Sequence, residues 1–143
     1  MHRMNATPQS IGLLILRLGL GGFLLLWSVN KLVAPEGTVS LYQYFYRLDI
    51  NTHIAYTLGI LEAVLSLAIM AGFLKTYSYA LGMVLHAIST VATYQQLLHP
   101  FGQYDLFMAA LPVLAAFIAL FLLRRQDMLC SLDEWLRSSE RVW

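Results

Sequence analysis

Four long apolar runs, at about residues 11–33, 53–74, 76–98 and 106–123, dominate the chain. Each approaches the roughly 20 residues that an α-helix needs to cross about 30 Å of hydrocarbon. In lipid, only helices and closed barrels satisfy their own backbone groups. These runs are continuous and rich in Leu and Ala, without the alternation of a barrel strand. The pattern therefore predicts an all-α membrane protein, four transmembrane helices in an antiparallel bundle, as one domain over residues 1–143. Composition agrees: 12% of the residues are charged, against about 25% in ordinary soluble domains, and the mean hydropathy is +0.64. A net charge of +1 offers no field for nucleic acid. The first run is too long for a signal h-region and no small-residue cleavage site follows it, so a retained span is expected.

The connections set the topology. Residues 72–76 are short enough to force a hairpin, and His99-Pro100-Phe101-Gly102 breaks the chain between the last two runs. The first connection is long and holds Leu41-Tyr42-Gln43-Tyr44-Phe45-Tyr46, rings that suit a membrane–water boundary. It predicts a short interfacial helix over Thr38–Arg47. Arg3, Lys75, Arg124, Arg125, Arg137 and Arg141 fall on one side of the spans, and only Lys31 and Arg47 on the other. The positive-inside rule then places both termini in the cytoplasm, which for a bacterial chain means the inner membrane. Asn5-Ala6-Thr7 has the letters of a glycosylation sequon but lies at that cytoplasmic terminus.

The informative residues are ionisable groups inside the runs. Arg17, Glu62 and His86 lie in the first three, where a charge costs about 2.5–3.5 kcal/mol at the bilayer centre on insertion scales. They should turn inward and find partners. Helical spacing supports this: Arg17, Gly21, Leu24, Ser28 and Lys31 share a stripe, as do Ala55, Gly59, Glu62 and Ser66. Tyr79, Gly82, His86, Ser89 or Thr90, and Thr93 form a third stripe, and Asp105, Ala109, Pro112, Ala116 and Ala119 a fourth. The expected pairing is Arg17 with Glu62, His86 nearby, read either as a structural ion pair or as part of a ligand pocket or proton relay. Nearer the outer face, Asn30, Lys31, Tyr94, Gln95, Gln96, His99, Tyr104 and Asp105 gather, with Lys31 and Asp105 placed to pair at a pocket mouth. Trp27 lies just below. An aromatic lid over polar donors suits a flat amphipathic molecule such as a quinone headgroup. The four histidines lack metal-ligand spacing, so no metal is expected. Cys130 is the one cysteine, so dithiol chemistry would have to come from a partner.

Arg17-Leu18-Gly19, Gly21 and Phe23-Leu24, followed by Asn30-Lys31-Leu32, resemble the first-helix signature of the DoxX-like membrane proteins. Glu62 followed by small residues and Gly72 resembles that family's second helix, and Ser131-Leu132-Asp133 its common close. The likeness spans nearly the whole chain. It implies a compact four-helix bundle and a link to quinone-coupled or thiol-coupled membrane redox systems, with Arg17, Lys31 and Glu62 as a polar core. Two departures stand out: the membrane segments hold no cysteine pair, and Cys130 replaces the usual glycine before Ser131. The function so implied is an accessory subunit of a membrane redox system that binds quinone and meets a membrane or soluble redox protein. The alternatives are a small transporter or proton conductor, and a structural subunit without chemistry.

Overall fold

The computed structural model describes residues 7–99, 101–102 and 104–140. Arg3, Asn5, Ala6, Pro100 and Arg141, which entered the charge count, the sequon and the loop, lie outside them.

The described residues form helices and no strand. Helix α1 spans Pro8–Val33. Thr7 caps it, since its side chain accepts from Ser10 N while Ser10 returns the bond to Thr7 N, and Pro8 sits at the start, where no intrahelical N–H is needed. Helix α2, Pro35–Leu41, runs into a π-helical turn at Tyr42–Tyr46 that ends at Arg47 in the left-handed region. Helical structure is thus present where a short helix was expected at Thr38–Arg47, begun earlier by Pro35. Helix α3 spans Thr52–Ala71, capped by Asn51. Helix α4 spans Lys75–Ala92, and a break at Thr93 separates it from α5, Tyr94–Leu98. A 3₁₀ turn at Asp105–Ala109 leads into α6, Ala110–Leu122, and α7 spans Leu132–Glu140.

Three helical segments are long and apolar enough to cross a membrane: Pro8–Val33, Thr52–Ala71 and Asp105–Leu122. Helix α4 is not among them. It carries Lys75, Ser78, His86 and Thr90, all buried within the protein.

Helices α1 and α3 run in opposite directions at close range. Gly21 faces Ser66 and Met70, and Gly59 faces Lys31 and Leu32. Small residues let the two backbones approach, and Ser28 Oγ donates to Gly59 O across the gap at 2.9 Å. Helix α6 closes the bundle against α4 and α1. Its inner face is Phe117 and Leu120, both fully buried, with Val113 beside them. The expected fourth stripe was Asp105, Ala109, Pro112, Ala116 and Ala119; instead Asp105, Ala109 and Pro112 are exposed. The reason is steric. Gly82 leaves room for the Phe117 ring, 3.1 Å from where a Cβ would stand, so α6 turns its large side chains inward.

Leu20, Leu24, Leu65, Ile69, Phe117 and Leu120 belong to one apolar cluster at mid-bundle. Polar residues lie on either side of it along α1 and α4, and they contribute to two separate centres.

Candidate functional site

The first polar centre is at the end of the bundle where α3 turns into α4. Arg17, 1% exposed, donates through Nη1 to both carboxylate oxygens of Asp127, at 3.2 and 3.1 Å, and Asp127 is fully buried. Its Nη2 donates to the carbonyls of Leu129 and Cys130. Tyr79 donates its hydroxyl to the same Asp127. Lys75 Nζ donates to Asp127 O at 2.6 Å and pairs with Glu134 at 3.2 Å. Gly72, at φ +63, is doubly required: it turns the chain out of α3, and a Cβ there would stand 2.5 Å from Arg17 Nη1.

The expected Arg17–Glu62 pair does not form. The α1–α3 register sets Arg17 level with Gly72 and Glu62 level with Ser28 to Lys31, about 17–21 Å further along α1 at 1.5 Å per residue. An arginine side chain does not span that. Asp127, three residues past Arg124 in the segment after α6, was not anticipated. Its signal was position: a lone acid immediately beyond the last span, at the depth of Arg17.

The Ser131-Leu132-Asp133 close now has a physical role. Ser131 Oγ donates to Gly72 O. The Asp133 carboxylate accepts from Leu74 N at 2.8 Å and Lys75 N at 3.0 Å, capping α4 at its first turn. Leu74 sits at φ +47, a conformation costly for leucine, and the Asp133 bond pins it there. This end is a clasp that ties the C-terminal segment to three helices.

The second centre lies on the other side of the apolar cluster and opens into a cleft of about 660 Å³. Lys31 Nζ meets Glu62 Oε2 at 2.7 Å, both about seven-eighths buried. The expected Lys31–Asp105 pair is therefore replaced by Lys31–Glu62. Asp105 heads the 3₁₀ turn, exposed, does not line the cleft, and has no ion pair among the described residues. Lys31 also stands over the Trp27 ring, 5.9 Å from its centre, a cation–π distance.

His86 reaches the same cleft from α4. Its Nε2 lies 3.0 Å from Ala110 O, so that nitrogen donates and Nδ1 is left as the acceptor. Phe23 meets the His86 ring edge-on and Phe117 tilts against it, each at 5.6 Å. Nδ1 has no partner among the described residues, and neither has the hydroxyl of Thr38, which is 4% exposed and lines the cleft from α2.

The roof is the first connection. Leu41, Tyr42, Phe45 and Tyr46 line the cleft, and Phe45 rests against Phe107 of the 3₁₀ turn at 5.9 Å. The π-helical turn lets neighbouring rings face the same way, as Tyr42 and Tyr46 stack at 4.8 Å. Burial foremost, then the charges of Tyr46 and Glu62, raises the Tyr42 phenol above its ordinary range, so it remains a hydrogen-bond donor.

Of the residues expected at a site, Lys31, Glu62 and His86 share this cleft, with Trp27 and Asn30. Arg17 belongs to the clasp. Thr38 and Phe107 were not anticipated: Thr38 belongs to the first connection, and Phe107 lies inside the fourth apolar run, where a single ring does not stand out. The outer residues Tyr94, Gln95, Gln96, His99 and Tyr104 line a separate, shallower hollow with Tyr44.

A bundle of apolar helices around buried ion pairs and an aromatic-roofed cleft is the architecture of a multi-pass membrane protein. The DoxX family profile matches residues 12–96, more than half of the chain, with all of α3 and α4 and most of α1. The chain belongs to the DoxX family. No curated protein and no solved structure matches it.

Proposed function

We propose that the chain is a four-span antiparallel bundle with both termini cytoplasmic, acting as an accessory subunit of a membrane redox system and holding a quinone headgroup in the roofed cleft. Helix α4 serves as the fourth span. Its 18 residues reach about 27 Å. Lys75, Ser78, His86 and Thr90, which lower its hydropathy, are buried, while Leu81, Val84 and Val91 face outward. The orientation rests on Lys75, Arg124, Arg125 and Arg137 at the clasp end, against Lys31 and Arg47 at the other.

The carrying observation is the convergence of Lys31, Glu62 and His86 on one aromatic-walled cleft that Thr38 also lines. Its volume fits a small-molecule site, for which roughly 300–1,000 Å³ is usual. Lys31 keeps N–H groups beyond its bond to Glu62 and donates to a ring carbonyl. Glu62 and His86 Nδ1 accept from a ring hydroxyl. Trp27 and Phe45 bound the ring plane. A quinone supplies two-electron redox chemistry when bound, the electrons coming from a partner protein. Proton conduction is the less favoured reading, because the apolar Leu24, Ile69 and Phe117 layer lies between His86 and Asp127.

Titration of purified protein in nanodiscs with a short-tailed benzoquinone tests the proposal. Saturable binding, weakened at least about tenfold (roughly 1.4 kcal/mol) by Lys31→Met and by His86→Phe but not by Asp105→Asn, is expected. Binding indifferent to both cleft variants, or absent from a folded wild-type protein, would remove the quinone role and leave a structural subunit.

A further inference from the structure

Helix α7 is amphipathic in the reverse sense from a helix on a soluble protein. Asp133 and Glu134 point inward, the first capping α4 and the second paired with Lys75. Leu132, Trp135 and Leu136 point outward, at 37, 64 and 40% exposure. The two acids fix the rotation of α7 about its axis, so this outward turn is enforced. Neighbouring Leu74, Tyr77 and Met128 are exposed as well, which extends the apolar surface from α7 to the adjoining ends of α4 and the segment after α6.

Charge indicates what covers it. At this end Asp127, Asp133 and Glu134 are all engaged within the protein. Arg125 is exposed, Arg137 pairs with Glu134 at 3.3 Å yet remains 66% exposed, and Arg124 lies partly exposed over the Phe121 ring. The described surface at this end thus presents guanidinium groups beside indole and aliphatic side chains, the combination that anionic phospholipid headgroups and the upper acyl chains accept together.

We infer that α7 is a lipid-docking helix: Leu132, Trp135 and Leu136 insert into the bilayer interface while Arg124, Arg125 and Arg137 engage anionic phospholipid headgroups. The helix begins level with the first turn of α4, because Asp133 N donates to Gly72 O. It therefore lies at the boundary and not in the aqueous phase. Through Asp133 and Glu134 the same helix holds the clasp, so lipid composition at this leaflet bears on the stability of the clasp. The inference is independent of what the cleft binds.

Site-directed labelling of the full chain in vesicles tests it. With Cys130→Ser removing the native thiol, a fluorophore is placed at Ser139→Cys, on the apolar face beside Trp135 and Leu136, or at Ser138→Cys, about a third of a turn away. The vesicles are phosphatidylcholine alone or phosphatidylcholine with phosphatidylglycerol. Lipid-borne quenchers should reach the position-139 label several-fold more effectively than the position-138 label, and more so with phosphatidylglycerol. Arg125→Gln with Arg137→Gln should abolish the dependence on phosphatidylglycerol while leaving the protein folded by circular dichroism. Equal aqueous access at both positions in both vesicle types overturns the inference. So does shielding of position 139 only when a stoichiometric protein co-purifies, since that assigns the face to a protein.

Discussion

Asp127→Ala is the sharpest perturbation of the clasp. It leaves the Arg17 guanidinium 1% exposed, with the Leu129 and Cys130 carbonyls as remaining acceptors. It also takes the acceptor of the Tyr79 hydroxyl. Removing one partner of a buried ion pair typically costs about 3–5 kcal/mol. The two surviving charge-assisted bonds to carbonyls offset part of that, which places the expectation near the lower end, about 3 kcal/mol. A double-mutant cycle separates the pair from general damage. Arg17→Leu and Asp127→Ala should couple by about 2–3 kcal/mol, whereas Arg17→Leu and Glu62→Gln should add within about 0.5 kcal/mol, as distant sites do. Equilibrium unfolding in mixed micelles titrated with dodecyl sulfate supplies the four free energies of each cycle. Coupling between Arg17 and Glu62 as large as that between Arg17 and Asp127 would refute the register of α1 on α3, and with it the division into two polar centres.

Three further expectations follow from local geometry. Gly21→Ala places a Cβ 2.4 Å from the Met70 side chain and 3.1 Å from Ser66 O; the unyielding backbone contact forces α1 and α3 apart, for a loss of about 1–3 kcal/mol in the same unfolding assay. Asp133→Ala frees the first N–H groups of α4 and relaxes Leu74, at a cost of about 1–2 kcal/mol, and should raise hydrogen exchange at Leu74 and Lys75 before anywhere else. The raised Tyr42 pKa means that the folded state holds this proton more tightly than the unfolded chain does. Its stabilisation is therefore complete below the ordinary value of 10.0 and declines as pH rises past it towards the folded value; the phenolate absorbance lost in Tyr42→Phe should appear only above that ordinary range.

The helical segments were legible because lipid leaves the backbone few choices, and twenty-residue apolar runs state their own conformation. Stripes on α1, α3 and α4 were legible too, since small and polar residues inside such runs have one side to face. Partner choice was not. It depends on the axial register of α1 against α3, and Gly21 on Met70 and Gly59 on Leu32 fix that register through contacts invisible to hydropathy. The stripes alone offered Glu62 as the partner of Arg17, and the missing acid lay in a tail that reads as merely polar. The fourth stripe failed for a related reason. On α6 small residues occur on several sides, so the side facing Gly82 was decided by ring volume and not by polarity. Lys31, Glu62 and His86 were each identifiable as lipid-incompatible, yet only the fold reveals that the first connection roofs them.

The central claim is that the roofed cleft between α1, α4 and α6 takes an amphipathic ring. A photoreactive benzoquinone, cross-linked to the protein in nanodiscs and mapped by peptide mass spectrometry, tests this most directly. The account predicts adducts at Trp27, Tyr42, Phe45 or Phe107, reduced by excess unlabelled quinone. Adducts confined to the outward side chains of α3, such as Leu61 and Val64, and indifferent to that competitor, would contradict it.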